Sequence, residues 1–335
     1  MNFKDTKLIN RVIKTIAAYE MIRADDIVLV AVSGGPDSIF LLWILDHLKL
    51  KLKLKKLCVV NMDHGLRGDE SREDSLFVKK MSDKLGLEYF HKTVNLKNIK
   101  SKKLSAEELA RQARYEFFKE AADRIHANVI ATGHTLDDQA ETILMRLIKG
   151  SSLKGIVGIS PAREEQGVRV IRPLLEIEKG EISRYLNWAR IDYRIDSTNM
   201  QDKYFRNVVR AEIIPFLEKY NPRLKRALFN LAEHLREDFE FVEKERRLAR
   251  RYISQGVKGA VEIRLKDIII QPKAIQREVL RDALAEAEGE IKRLSFRHWK
   301  EMENLIKIKH KGNSVDLPGD IRVARTESSL VFKRR

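Results

Sequence analysis

Short apolar segments alternate with helical patterns through the first half of the chain. The clearest of them, Asp26–Val32, is a continuous valine-rich run, typical of a strand buried on both faces of a parallel sheet. Similar runs follow at Leu57–Met62, Leu87–His91 and Asn128–Thr132, separated by helical patterns at Ser38–Leu50, Ser71–Leu85 and Ser105–Ile125. This alternation predicts an α/β fold with a doubly wound, mostly parallel, Rossmann-like sheet, whose ligands bind beyond the carboxyl ends of the strands.

From about Glu178 the sequence changes to successive helical patterns. They cover Glu178–Ala189, Phe205–Tyr220, Arg223–Ile253, Pro272–Ala287 and Ser295–Ile308. Asn221-Pro222 is a plausible domain boundary, since proline pushes the preceding residue out of helical geometry. Ser314–Lys333 alternates in short stretches and predicts a hairpin. We therefore expect an α/β domain at residues 1–215 and a mainly helical, basic domain with a small terminal hairpin at residues 216–335.

Composition favours a soluble protein with a polyanionic partner. The chain has 335 residues and a formal net charge of +16, of which residues 221–335 carry +9. Because each neutralised phosphate releases counterions, this surplus favours nucleic acid; a charged surface kept for solubility or heat resistance is the alternative. We find neither a basic-then-apolar leader nor an apolar run approaching about 18 residues, so we expect a cytoplasmic protein without a membrane partner. The single cysteine, Cys58, excludes a C-x-x-C pair or an intramolecular disulfide.

The first predicted strand leads directly into a glycine-rich turn with the features of a phosphate site. Its residues are Ser33, Gly34, Gly35, Pro36, Asp37 and Ser38, with a helix beginning at about Ser38. Two glycines allow a sharp turn and close backbone approach, and the helix start directs N–H groups toward an anion. The spacing is that of neither the Walker A loop nor G-x-G-x-x-G. An ordinary strand-to-helix turn is the alternative interpretation.

This turn resembles the PP-loop of the ATP pyrophosphatase superfamily, whose members split ATP into AMP and pyrophosphate to activate a substrate. Further segments resemble, in order and spacing, the motifs of the tRNA(Ile)-lysidine synthase family. They are Asn61–Arg67, Ala110–Tyr115, Ala131–Thr142, Arg172–Leu175, Asp196–Asn199 and Arg206–Arg210. The resemblance covers about Asp26 to Pro215, and the ordered set is more specific than any single piece.

The resemblance implies a ligase reaction in two steps. The C2 carbonyl oxygen of the wobble cytidine in a CAU-anticodon isoleucine tRNA is adenylated by ATP, and the amine of free L-lysine then displaces AMP to give lysidine. It also implies Mg2+ and a homodimer as possibilities. Longer family members carry a further C-terminal module, and we expect this chain to be a shorter form without it. This expectation leaves open how tRNA identity is checked and which basic residues contact RNA; the candidates are Lys225, Arg226, Arg246, Arg247, Arg250 and Arg251.

Candidate catalytic residues follow from the chemistry of the phosphates. Asp37, beside a triphosphate, is repelled unless Mg2+ lies between them, so we expect it to bind metal or organise the phosphate site; a helix cap is the alternative. Asp137, Asp138 and Glu141 form a compact set at a strand end and helix start. They suit a second Mg2+, with Asp138 as ligand, or the amino groups of lysine, and one could accept the proton that the amine loses. Alternatively, these carboxylates only interact with the positive end of the helix dipole.

The remaining candidates follow strand ends or lie on helices that face the site. We expect Asp63, His64 and His134 to contact nucleotide or substrate, although half-buried structural histidines are common. Arg114 would meet phosphate or the adenylated base. Three residues after the α/β core, Arg206, Asn207 and Arg210, fit tRNA phosphate or an active-site clamp.

Two other functions remain open from the sequence. A PP-loop tRNA thiolase is the alternative enzyme, although such enzymes generally rely on cysteine pairs or an iron–sulfur site, which one cysteine does not provide. A non-catalytic tRNA-binding protein is the alternative from another class. It would be expected to have lost Asp37, Arg114 or the Asp137–Asp138 pair, all of which are present.

Overall fold

The computed structural model describes residues 6–63, 69–94, 106–194, 204–256, 259–287, 294–307 and 312–334. The chain divides into two compact units, Met1–Glu233 and His234–Arg335. Within the described parts, no helix is both long enough and apolar enough to cross a membrane. His64, Asp196–Asn199 and Ser105, the first residue of the third helical pattern, lie outside the described residues.

The first unit is built on a six-stranded sheet. Its strands are β1 (Ile27–Ala31), β2 (Lys56–Asp63), β3 (Glu88–Thr93), β4 (Val129–Ala131), β5 (Ala162–Glu165) and β6 (Val168–Ile171). Their order is β3-β2-β1-β4-β6-β5, and every neighbouring pair is parallel except β5 with β6. The chain leaves β1 toward β2 and β3 and returns on the other side as β4. The topological switch point, where ligands bind in such sheets, therefore lies between β1 and β4.

Helices surround this sheet. They are α1 (Thr6–Ala18), α2 (Pro36–Leu48), α3 (Asp69–Lys84), α4 (Ala106–Ile125), α5 (Leu136–Ile148), α6 (Leu153–Ile156), α7 (Lys179–Ala189), α8 (Tyr204–Val208), α9 (Ile214–Glu218) and α10 (Leu224–Ala249). Alternate residues of β1 enter different cores: Val28 and Val30 pack with α1, α2 and α7, whereas Leu29 packs with Phe117 and Phe118 of α4. Burial on both faces explains why β1 is a continuous apolar run.

A π-helical turn, Val209–Ile213, joins α8 to α9. The amide of Ile214 donates to the carbonyl of Val209, one residue further back than in an α-helix. The next residue, Pro215, has no N–H to continue the regular ladder, which accounts for the irregularity at this point.

The second unit contains more strand than the sequence indicates. A five-stranded antiparallel sheet, in the order β7-β8-β11-β10-β9, is formed by β7 (Ile253–Gln255), β8 (Val261–Arg264), β9 (Ser314–Leu317), β10 (Ile321–Arg325) and β11 (Ser329–Arg334). Between β8 and β9 come α11 (Leu265–Ile268), α12 (Lys273–Glu286) and α13 (Phe296–Lys307), and a 3-10 turn, Arg250–Tyr252, follows α10. Phe332, Val323 and Leu280 are among the fully buried residues of its core.

The predicted fold class is confirmed, with two refinements. The β5–β6 hairpin is not indicated by any sequence pattern, and the terminal hairpin is part of a larger sheet. The division between units falls inside α10, after the boundary expected at residue 215. Residues 216–233 belong to the first unit because Leu217 and Leu228 pack against Ala140 and Leu144, and Phe229 packs with Leu136 and Leu175.

Candidate active site

Hydrogen bonds of its own two serines stabilise the loop between β1 and α2. The amide of Ser33 donates to Ser38 Oγ (3.1 Å), and that hydroxyl donates to the carbonyl of Gly35 (2.9 Å). Gly34 has φ +93°, a conformation that favours glycine, and its carbonyl accepts from the amide of Arg194 (2.9 Å). The first α-helical hydrogen bond runs from Ile39 to Gly35, so the amides of Asp37 and Ser38 precede the helical ladder. The loop thus presents a helix N-terminus suited to an anion.

A second strand-to-helix turn, from β4 into α5, is held by a capping box. Thr135 and Asp138 cap each other: the Thr135 hydroxyl accepts from the Asp138 amide (3.4 Å), and Asp138 Oδ2 accepts from the Thr135 amide (2.9 Å) and hydroxyl (2.8 Å). These bonds fix the Asp138 carboxylate at the carboxyl edge of the sheet.

Gly133 is the point at which the two turns meet. A Cβ built there would lie 3.2 Å from the carbonyl carbon and oxygen of Asp37 and from the Ser38 nitrogen. Such contacts are tighter than nine in ten real Cβ contacts, and the neighbouring atoms are backbone, so the close approach favours glycine at this position. The structure therefore brings Asp37 and the α5 aspartates to one place, as the switch point predicts.

Lys179, the first residue of α7, lies between the two turns. Its ammonium is 2.9 Å from Asp138 Oδ1 and 3.9 Å from Asp37 Oδ2. Its backbone amide donates to Asp137 Oδ2 (2.8 Å). Lys179 thus contacts all three aspartates, although its position in the sequence carries no motif that indicates this.

Asp37 has an unusual electrostatic environment. Its Oδ1 is buried and has no hydrogen-bond partner among the described residues. Burial raises the pKa of Asp37 to about 7; Lys179 opposes the shift, and Asp138 and Asp137 add to it. Near neutral pH this carboxyl is therefore poised between its protonated and ionised forms, and a cation placed beside it would favour the ionised form.

Asp138 is shifted in the opposite direction. Burial by itself would raise its pKa, but the positive charges of Lys179 and Arg206 hold the pKa of Asp138 well below its usual range. Arg206 Nη2 lies 3.0 Å from Asp138 Oδ1. Asp138 is therefore ionised at neutral pH, and both of its oxygens are engaged.

The other two carboxylates of α5 are also occupied by cations of the chain. Glu141, almost fully buried, accepts from Arg206 Nε (2.6 Å) and Arg210 Nε (2.6 Å). Asp137 Oδ1 is 2.9 Å from Lys225 Nζ. The predicted cluster of Asp137, Asp138 and Glu141 is therefore assembled, and its members are bridged by side chains from α7, the α8 region and α10.

His134 is half-buried between the strand end and α5. Its Nδ1 lies 3.0 Å from the Thr132 hydroxyl. Burial lowers the pKa of His134 to about 3, with the positive charge of Arg172 as the next cause, so the imidazole is neutral at pH 7. Arg114, exposed on α4, is close enough to contribute to this shift. His134 can thus offer a hydrogen bond but not a positive charge.

The remaining predicted residues lie around this centre or beside it. Asn207 is on α8 between the arginine positions, and Pro36 is the first residue of α2. Asp63 ends β2 and lines a cavity of about 430 Å³ with Arg72, Lys79, Tyr89 and His91. Arg172 is buried, and its guanidinium donates to the carbonyl of Ser160 (2.6 Å), which is a structural role.

Two of the basic residues considered for RNA contact are neutralised within the first unit. Lys225 pairs with Asp137, and Arg226 Nη1 lies 2.8 Å from Glu176 Oε2. In the second unit, Arg246 pairs with Glu243 and Asp282. Sequence reasoning missed the first two pairings because their partners lie far away in the chain.

Carboxylate oxygens are present for a divalent cation, but not as a preformed cage. Across the described ranges, no group of three or more histidine, cysteine, aspartate or glutamate residues could hold a metal ion. Mg2+ is usually bound by one or two carboxylates together with substrate phosphates and water. The unpartnered Oδ1 of Asp37, beside the phosphate-type loop, fits that mode of binding.

Comparison with protein families and curated proteins gives consistent matches. Residues 5–217 match the family model of the PP-loop domain, described as ATP_bind_3. The tRNA(Ile)-lysidine synthase of Clostridioides difficile is 34% identical over 328 residues, covering 97% of this chain and 70% of that protein. The tRNA(Ile)-lysidine synthase of Caldanaerobacter subterraneus is 33% identical, covering 100% of this chain and 71% of that protein.

Among solved structures, the U34-tRNA thiolase NcsA from Methanococcus maripaludis is similar to this chain. The TM-score is 0.59 at 20% identity, covering 69% of this chain and 78% of that chain. At this identity the likeness concerns the fold alone.

Proposed function

Because the chain belongs to the tRNA(Ile)-lysidine synthase family of ATP-using PP-loop enzymes, we propose that it ligates L-lysine to the wobble cytidine of a CAU-anticodon isoleucine tRNA. ATP adenylates the C2 carbonyl oxygen of the cytidine with release of pyrophosphate, and the lysine amine then displaces AMP to form lysidine. The observation that carries the proposal is the contact at Gly133, which brings the Ser33–Ser38 loop against the first turn of α5.

The Ser33–Ser38 loop binds the phosphates in this proposal. When a carbonyl oxygen attacks the α-phosphorus, negative charge must be stabilised on the phosphate oxygens. Amides at the start of α2 and the α2 dipole supply part of that stabilisation. Mg2+, bound by Asp37 with Asp138 beside it, would supply additional positive charge to the same oxygens. The raised pKa of Asp37 fits a buried carboxylate whose ionised form is stabilised only when a cation binds beside it.

The α5 carboxylates act as holders of cations rather than as proton acceptors. Asp138 and Glu141 have both oxygens engaged by Lys179, Arg206, Arg210 or the Thr135 cap. A carboxylate whose pKa lies well below its usual range is also a weak base. These residues therefore orient Arg206 and Arg210 toward phosphate or the adenylated base, with Arg114 approaching from α4. His134, neutral at pH 7, contributes a hydrogen bond to nucleotide or substrate.

The alternative thiolase function is not favoured by the chemistry of Cys58. This cysteine, the single one in the sequence, is fully buried in β2, and burial raises the pKa of its thiol to about 11. A buried thiol with a raised pKa is a poor nucleophile and metal ligand. From the family resemblance we also expect the protein to form a homodimer and to be cytoplasmic.

The test is incorporation of labelled lysine into an unmodified CAU-anticodon isoleucine tRNA transcript with ATP and Mg2+. We expect incorporation with AMP formation, none into an elongator methionine tRNA, and a fall of about 10²–10³-fold for Asp37→Asn. Asp46→Asn is the matched control, because Asp46 lies on the same helix and pairs with Lys49. AMP formation without lysine transfer would show that the nucleophile or acceptor is wrong, and absence of both from folded protein would overturn the proposal.

A further inference from the structure

Two aromatic side chains at the end of α9 are exposed to solvent. Phe216 is 54% exposed and Tyr220 is 78% exposed, although burying such rings is normally favourable. Their ring centroids are 5.5 Å apart, and the planes meet at 65°. We refer to Phe216 and Tyr220 as the aromatic pair.

The packing of α9 fixes the aromatic pair on the outer face. Ile214 is buried, and Leu217 packs against the cluster that contains Ala140 and Leu144. Phe216 and Tyr220 are four residues apart and therefore share the other face of the turn. The π-helical turn just before α9 adds a residue to the helical register, and so determines which face points outward.

Positive charge accompanies the aromatic pair. Lys219 Nζ lies 6.0 Å from the centroid of the Phe216 ring, and Arg223 is exposed on the following turn. Within the described parts of the chain neither forms an ion pair, whereas Lys225 and Arg226, just beyond them, pair with Asp137 and Glu176. The surface thus combines stacking faces with cations that pair with no acidic side chain among the described residues, as surfaces that bind single-stranded nucleic acid do.

An ion-pair bridge places this surface next to the candidate active site. Lys225 Nζ is 2.9 Å from Asp137 Oδ1 and 3.4 Å from Glu218 Oε1. Glu218 lies between the two aromatic residues in the sequence, so its side chain points to the opposite side of the helix. Because a helix is about 10 Å across, the aromatic pair is separated from the α5 carboxylates by the width of α9 and by the Glu218–Lys225–Asp137 bridge. That separation suits a neighbouring nucleotide rather than the reacting base.

We propose that the aromatic pair stacks on an unpaired base of the tRNA anticodon loop that neighbours the modified cytidine, while Lys219 and Arg223 contact the phosphates beside it. This inference rests on the proposed function, because it names the surface that presents the RNA to the same site. A polyanionic occupant is favoured over a second copy of the chain, since each copy has a net charge of +16.

The experiment uses the full-length protein with Phe216→Ala and Tyr220→Ala combined. We expect KM for the tRNA to rise about 10- to 100-fold, because base stacking on an aromatic ring is worth about 1–3 kcal/mol. KM for ATP and for lysine, and kcat at saturating tRNA, should be unchanged. Phe216→Trp should retain tight binding, and Trp188→Ala is the matched control because Trp188, on α7, is also 54% exposed.

A direct binding measurement separates this inference from the proposed function. The probe is a fluorescent CAU anticodon stem-loop whose anisotropy is followed without ATP or lysine. The inference is supported if the double variant binds the stem-loop more weakly and the Trp188→Ala control does not, whatever the catalytic result. Lysidine formation by the wild type with unchanged binding by the double variant would overturn the inference and leave the function standing. Loss of a dimer in sedimentation with RNA binding intact would also overturn it, because the pair would then contact a second copy.

Discussion

The two strand-to-helix turns of the site look alike locally but carry opposite electrostatics. In each, a strand at the switch point leads into a helix whose first turn holds an aspartate, Asp37 on α2 and Asp138 on α5. Asp37 has a buried oxygen without a partner, and its pKa is raised to about 7. Asp138 accepts from Thr135, Lys179 and Arg206, and its pKa is lowered. The difference teaches that the partners, rather than the position on the helix, decide the charge of the carboxylate.

The same substitution at the two aspartates should give opposite effects on stability. Asp138→Asn should lower the free energy of unfolding by about 3 kcal/mol, because it leaves Lys179 and Arg206 without their charge partner in a largely buried site. Asp37→Asn should raise stability at pH 8, because it removes a buried carboxylate without a full set of partners. Urea unfolding of both variants at pH 8 measures the difference. If both variants lose the same free energy of unfolding, the two turns do not differ in the way described.

The contact between the turns can be tested at glycine. Gly133→Ala should destabilise the protein by about 2 kcal/mol, because its Cβ would press on the backbone of Asp37. It should also reduce lysine incorporation by displacing the first turn of α2. Gly180→Ala is the control, because nothing lies within 4 Å of a Cβ built there on α7. The control should be neutral or more stable by about 0.5 kcal/mol; similar losses for the two variants would show that the turns are not in tight contact.

A further contrast concerns the pH dependence of Asp37. Its folded-state pKa of about 7 lies above its usual value of 3.8, so between these values the folded protein binds more protons than the unfolded chain. The stability contributed by the protonated Asp37 is therefore lost as pH rises through this window. Asp37→Asn lacks this loss, so its Tm should exceed that of the wild type more at pH 8 than at pH 5.

Added Mg2+ should reduce the difference at pH 8 if Asp37 binds the cation. Thermal unfolding of both proteins at the two pH values, with and without Mg2+, measures these effects. A Tm difference that does not change with pH would show that Asp37 is not titrating in this range.

The features that sequence patterns predicted correctly are those that depend on residues close together in the chain. The apolar run of β1 and the glycines of the loop each depend on a few neighbouring residues, so a short segment reveals them. The role of Lys179 and the pairing of Lys225 with Asp137 were missed because the partners are dozens of residues away and neither lysine lies in a motif. The β5–β6 hairpin was missed because Ala162–Glu165 is polar and only half-buried at the sheet edge, where strand patterns are weak.

By itself the sequence determined the α/β class, the phosphate-type loop after β1 and the set of carboxylates at the start of α5. Each follows from local backbone preference or from hydrophobic periodicity, which are properties of short segments. The tertiary structure alone decided which carboxylate is ionised, which cations neutralise the others and which aromatic side chains stay exposed on α9. These depend on desolvation and on charges within a few ångströms, and only the folded chain brings such groups together.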